Sequence, residues 1–85
     1  MTIRYTSHAL RKFNDLDALG VHVTKRLIHS ILTNPHTVDT ESDRPNIITS
    51  GILDTRHLLR VVYRMEDAII LVITFYPVRK ERYFV

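Results

Sequence analysis

Residues 57–85, which indicate the fold most clearly, read HLLRVVYRMEDAIILVITFYPVRKERYFV. Two strongly apolar segments flank the acidic pair Glu66 and Asp67, and this pattern predicts a β-hairpin. Cations and tyrosines on such a stiff surface suit a phosphate-bearing polymer better than a neutral metabolite. The basic and aromatic residues on or beside the hairpin are Arg60, Tyr63, Arg64, Tyr76, Arg79, Lys80, Arg82 and Tyr83.

Two helices are predicted before the hairpin. Thr6 or Ser7 can cap the first, over residues 7–19, because either hydroxyl can accept from a backbone N–H of the first turn. Gly20 then supplies a left-handed stop. Thr24 can cap the second helix, which ends before Pro35 because proline disfavours helical geometry in the preceding residue.

Extended segments fill the rest of the chain. Residues 3–5 are read either as a short strand or as an extended lead-in. The prediction is one α+β domain, residues 1–85, in which two N-terminal helices pack on one face of a four-stranded antiparallel sheet. The four strands are expected at residues 36–42, 47–53, 57–65 and 68–76.

The alternation of side chains in the last strand predicts which residues lie under the helices. Residues 69, 71, 73 and 75 are wholly apolar, so they are expected beneath the helices, which leaves Thr74 and Tyr76 on the open face. The residues expected to be buried are Leu10, Phe13, Leu27, Ile31, Leu71 and Ile73.

Two arginines of the preceding strand predict an anion site on the open face. Arg60 and Arg64 share one side of that strand, near Thr74 or Tyr76. Arginine suits phosphate because its planar fork donates two hydrogen bonds at once. A cross-strand salt bridge or a solvated pair is the alternative interpretation.

The histidines offer one candidate for chemistry and no metal site. None of the five has a spacing typical of metal ligands, so neither a metal nor another cofactor is expected. His8 lies in the first turn of the first helix, where the positive helix end favours a neutral imidazole that can act as a base. A structural histidine that ties the helix to the sheet is the alternative.

Composition narrows the class of protein. The chain has 85 residues and a net charge of +3. Because it has no cysteine, neither a disulfide nor a thiolate–metal site can form. The N-terminal residues lack the apolar core of a signal peptide, and the longest apolar run, residues 68–73, is too short to span a bilayer. A cytoplasmic location and no membrane partner are therefore expected.

Four segments carry a resemblance to a known family. They are YTSHA at residues 5–9, NP at 34–35, LRVVY at 59–63 and VITFYP at 72–77. In their order and spacing the chain resembles a small bacterial and archaeal domain-of-unknown-function family, number four-two-five-eight. That family is similar in layout to the RelE/ParE superfamily of toxins, which share helices followed by an antiparallel sheet.

The resemblance implies the toxin of a type II toxin–antitoxin pair that acts as an mRNA endoribonuclease. His8, Arg60 and Tyr76 would be its catalytic residues, and its nucleic-acid-binding residues would be Arg64, Arg79, Lys80, Arg82 and Tyr83. The implied partners are an antitoxin protein and RNA or the ribosome, and a homodimer is left open. The alternative is a non-catalytic RelE/ParE-like binding module that acts on a protein target or has no enzymatic activity.

Overall fold

The computed structural model describes residues 1–82, which form two α-helices and one β-sheet. A 3₁₀ turn, Lys80–Arg82, follows the last strand. Among the described residues, no helix is long and apolar enough to cross a membrane. In chain order the elements are β1 Thr2–Tyr5, α1 Ser7–Ala18, α2 Lys25–Thr33, β2 Thr37–Asp39, β3 Ile47–Ile52, β4 His57–Glu66 and β5 Ile69–Arg79.

The sheet has five strands in the order β1-β5-β4-β3-β2, and β1 runs parallel to β5. The α+β class is confirmed, but the predicted four-stranded antiparallel sheet is wrong. Strands β2 to β5 do form an antiparallel meander. The missing strand is β1, which has only four residues and pairs with a segment at the far end of the chain. Local periodicity cannot reveal such a distant partner.

Both helices begin with a threonine cap, which is Thr6 rather than Ser7 for α1, and α1 ends before Gly20 as expected. The Thr6 hydroxyl accepts from the Ala9 N–H at 3.1 Å, and the Thr24 hydroxyl accepts from the Leu27 N–H at 3.1 Å. Gly20, with φ of 81°, ends the α1 segment, and its N–H donates to the Asp17 carbonyl at 3.0 Å. Glycine adopts this left-handed conformation without steric cost, so the chain can turn toward α2.

The core lies between the helices and one face of the sheet. Ala9 and Leu16 of α1 and Ile28 and Ile31 of α2 are buried there. The helix α2 approaches β3 so closely that a Cβ on Gly51 would lie 2.5 Å from Ile31 Cγ1. The sheet contributes Leu59, Val61, Ile70, Val72 and Phe75 to this core.

A β-bulge at Ile73 changes which β5 side chains face the helices. The register pairs Val62 with Thr74 but Tyr63 with Val72, so Ile73 is an extra residue. The predicted alternation is therefore wrong before the bulge, where Ile70 and Val72 rather than Ile69 and Leu71 join the core, and right at Phe75. A periodicity argument assumes an uninterrupted strand, and one inserted residue reverses every side chain beyond it.

The predicted core is only partly correct. Ile31 is buried, and Phe13 and Leu27 pack against the core while keeping partial exposure. Leu10 is 46% exposed, because Ala9 and Leu16 form the side of α1 that faces the sheet. Leu71 and Ile73 lie outside the core cluster, because the bulge at Ile73 interrupts the alternation of side chains along β5.

Candidate functional site

A row of side chains crosses the open face of the sheet, which is the face opposite the helices. The register pairs Thr37 with Ser50, Ser50 with Arg60 and Arg60 with Tyr76, so β2, β3, β4 and β5 contribute one residue each. The hydroxyls of Thr37 and Ser50 hydrogen-bond to each other. We call these four residues the polar row.

Arg60 is the charged centre of the polar row. Its guanidinium carbon lies 5.9 Å from the centroid of the Tyr76 ring, within the range of a cation–π interaction. The side chain is only half-buried, so part of it faces solvent. A guanidinium that an aromatic ring restrains can bind an anion without first losing much side-chain freedom.

The bulge and the start of α1 bring His8 to the same region. The His8 Nε2 lies 3.0 Å from the Thr74 hydroxyl, and Thr74 is two residues before Tyr76 on β5. Thr6 fixes this arrangement, because its N–H donates to the Val72 carbonyl at 3.0 Å and its hydroxyl donates to the Ile73 carbonyl at 3.0 Å. Residues two apart on a strand are separated by roughly 7 Å, so His8 lies close to the end of the polar row.

An acidic loop adjoins the other end of the polar row. Asp39 Oδ1 accepts from the N–H groups of Glu41 and Ser42 at 2.9 and 3.0 Å, and its Oδ2 accepts from the Ser42 hydroxyl at 2.5 Å. These bonds, led by the one from the Ser42 hydroxyl, lower the pKa of Asp39 to about 2, and the charge of Arg60 adds to the effect. Asp39 is therefore an ionised, acceptor-only group at neutral pH.

The polar row and this loop enclose a pocket of about 410 Å³. Its walls combine one carboxylate, one guanidinium, three hydroxyls and two aliphatic side chains. Leu58, which forms part of the apolar wall, is only 1% exposed. The lining residues are Thr37, Asp39, Ser42, Ile48, Ser50, Leu58 and Arg60.

The other predicted binding residues are dispersed. Arg64 shares the open face with Arg60, but its Nη2 donates to Glu66 Oε1 at 3.0 Å. Four strand residues span roughly 13 Å, so Arg64 and Arg60 suit two different phosphates better than one. Arg79 pairs with His57 in the register, which places it on the helix side of the sheet, and its Nη1 lies 3.6 Å from Glu81 Oε1.

The tail residues complete this group. Lys80 begins the 3₁₀ turn and its N–H donates to the Arg56 carbonyl at 3.0 Å. Arg82 ends the same turn. Tyr83 lies outside the described residues, so its predicted role in binding stays a prediction.

Two other histidines pair with carboxylates away from the polar row. His22 Nδ1 lies 3.3 Å from Asp17 Oδ1, and His57 Nδ1 lies 2.9 Å from Asp54 Oδ1. Backbone N–H donation from Arg56, followed by the bond to His57, lowers the pKa of Asp54. Within residues 1–82 no group of three or more His, Asp or Glu side chains is placed to hold a metal ion.

Sequence reasoning missed four residues around the site, namely Thr37, Asp39, Ser42 and Ser50. Ser50 did carry a signal, because a lone hydroxyl between Ile48 and Ile52 interrupts an apolar strand face. Asp39 followed by Ser42 is a pattern typical of a side chain that caps a turn. Neither pattern indicates that the two segments meet Arg60, which depends on the order of the strands.

Comparisons of the chain with protein-family models, with curated proteins and with solved structures find no match.

Proposed function

We propose that this chain is a metal-independent endoribonuclease that cleaves mRNA as the toxin of a type II toxin–antitoxin pair. The observation that supports this best is the gathering of His8, Thr74, Arg60 and Tyr76 at one end of an open sheet face. An imidazole, a guanidinium and a phenol are the groups needed to move a proton and stabilise a phosphate. In this proposal the protein acts in the cytoplasm, where it meets mRNA and its antitoxin.

Each group has a defined task in the proposed reaction. His8 takes the proton of a ribose 2′-hydroxyl, and the resulting oxygen attacks the adjacent phosphorus. The new P–O2′ bond forms as the P–O5′ bond breaks, which leaves a 2′,3′-cyclic phosphate on one product. The departing O5′ takes a proton from water and leaves the other product with a 5′-hydroxyl, and the hydroxide that remains takes the proton from His8.

Arg60 stabilises the charge that develops on the phosphate. Its fork can donate two hydrogen bonds to the non-bridging oxygens, and such preorganised donors contribute most where water is partly excluded. Tyr76, whose ring faces the guanidinium, holds Arg60 in place and presents a hydroxyl toward the departing oxygen. Thr74 orients the His8 ring through the 3.0 Å contact with Nε2.

A second candidate function, a non-catalytic module that binds a protein target, is favoured by the charge pairing on the surface. Arg64 and Arg79 each lie within 4 Å of a carboxylate, from Glu66 and Glu81 respectively. Asp39 adds a negative charge near Arg60. These acids reduce the net positive potential of the protein surface, and a surface of mixed charge suits a protein partner better than a long RNA.

Inducible expression in a heterologous host tests the proposal, with growth and transcript integrity followed together. We expect the wild-type chain to arrest growth while transcripts are cut, and Arg60→Ala to relieve both effects without loss of the fold. Arg26→Ala serves as the matched control, because Arg26 is exposed on α2, in the layer opposite the open face. Growth arrest with intact transcripts would favour the protein-binding module instead.

A further inference from the structure

We infer that the pocket beside Arg60 recognises a single guanine base of the RNA substrate. The inference rests on the proposed function, which it deepens by naming the base that the enzyme selects. The pocket joins the polar row, so a base held in it lies next to the proposed phosphate position. Its volume of about 410 Å³ falls within the range of pockets that hold small ligands, roughly 300–1,000 Å³.

The charges in the pocket favour a base over a second phosphate. Asp39 lines the same cavity as Arg60, so a phosphate inside the cavity would be repelled by Asp39, unlike one bound to Arg60 on the side of Tyr76, which does not line the cavity. A neutral ligand with donors on one part of its edge and acceptors on another satisfies both groups. Ile48, which is half-buried, provides the apolar surface against which the flat face of a base can pack.

The hydrogen-bonding groups select guanine among the four bases. Asp39 Oδ1 already accepts two backbone N–H groups, whereas Oδ2 accepts only from the Ser42 hydroxyl, 2.5 Å away. Oδ2 and Ser42 Oγ therefore form a pair of adjacent acceptors. Guanine presents two adjacent donors, N1–H and the N2 amino group, and its O6 and N7 acceptors follow on the same side of the ring.

The other bases match this arrangement less well. Adenine and cytosine each place one amino donor beside a ring acceptor, and uracil places one donor between two carbonyl oxygens. A guanine whose donors face Asp39 and Ser42 directs O6 and N7 toward the guanidinium of Arg60, which is a donor only.

Equilibrium binding of short oligonucleotides tests the inference. The probes are 2′-O-methyl hexauridylates, which cannot be cleaved, with guanine, adenine, cytosine, uracil or inosine at one central position. We expect the guanine probe to bind about tenfold more tightly than the adenine, cytosine and uracil probes, as a paired contact to a base edge allows. Inosine lacks only the 2-amino group, so its affinity should fall between those of guanine and the other bases.

Variants of the acidic loop give the protein-side test. Asp39→Asn keeps an oxygen for the two backbone N–H groups but loses one acceptor, so the guanine preference should fall to less than about threefold. Asp43→Asn is the matched control, because it removes the same charge from the same loop and Asp43 does not line the pocket. It should keep the full preference. Circular dichroism verifies that both variants fold.

The outcomes separate this inference from the proposed function. Equal affinity for all five probes, or equal affinity for guanine and inosine, overturns the guanine pocket even if the protein cleaves RNA. Guanine-selective binding by a protein that never cleaves RNA supports the pocket and overturns the nuclease. Failure to bind any probe at low salt overturns the guanine pocket. Whether the protein then cleaves an RNA made only of ribonucleotides tests the proposed nuclease activity separately.

Discussion

Thr6 connects two parts of the candidate site, the start of α1 and the bulge of β5. Its hydroxyl caps α1 by accepting from the Ala9 N–H and also donates to the carbonyl of the bulge residue Ile73. The same threonine therefore starts the helix that carries His8 and holds it against β5. The sequence predicted the cap from residue type alone, but the bond to Ile73 depends on contacts that span most of the chain.

We predict that Thr6→Val destabilises the protein more than Thr24→Val. Each change removes a helix cap, which costs about 1 kcal/mol, but only Thr6→Val also removes the partner of the Ile73 carbonyl, for about 1 kcal/mol more. Urea denaturation of the two variants measures the difference. An equal loss of unfolding free energy in both variants would show that the Thr6–Ile73 bond does not contribute.

The lowered pKa of Asp39 predicts that acid destabilises the folded protein. Its pKa falls from the ordinary 3.8 to about 2 in the folded chain, so folding is favoured by ionised Asp39. That contribution is complete above about pH 5 and is lost as the pH falls through 4 toward 2. The wild-type urea midpoint should therefore drop more steeply than that of Asp39→Asn between pH 5 and 2. A constant difference between the two proteins over that range would contradict the lowered pKa.

Among the elements, the helices and β4 were predictable, and so was the existence of β5, but the bulge within β5 was not. The caps at Thr6 and Thr24 and the stop at Gly20 are local signals, and each functions in the structure as predicted. The alternation of β4 also placed Arg60 correctly on the open face. The bulge at Ile73 has no such local signal, and the bond that its carbonyl accepts comes from Thr6, far away in the sequence.

The bulge predicts an unusual order of mutational effects in β5. Val72 is fully buried against the helices, whereas Leu71 is half-buried beside Arg64 on the open face. We expect Val72→Ala to cost about 2 kcal/mol of unfolding free energy and Leu71→Ala about 1 kcal/mol, although the leucine loses more atoms. Urea denaturation tests this order. A larger cost for Leu71→Ala would indicate that the alternation runs without a bulge.

At the scale of the whole molecule, the candidate site exists only because distant segments assemble on one sheet. His8 follows β1, Arg60 belongs to β4 and Tyr76 to β5, and the parallel pairing of β1 with β5 brings the first segment to the last. Sequence reasoning identified these three residues by type and by resemblance. It missed Asp39, Ser42 and Ser50, because their proximity to Arg60 follows from strand order rather than from local pattern.

The proposed metal-independent nuclease activity is tested directly by incubating the purified protein with a defined single-stranded RNA in EDTA. We predict products that end in a 2′,3′-cyclic phosphate and a 5′-hydroxyl, and a 2′-deoxy substitution at the cleaved position should abolish the reaction. His8→Ala should slow cleavage by a factor of roughly 10² to 10⁴, as the loss of a general base does, while His22→Ala, away from the site, should cleave at the wild-type rate. Intact RNA with the wild-type protein would contradict the proposed nuclease activity, and an unchanged cleavage rate with folded His8→Ala would contradict the role of His8 as its base.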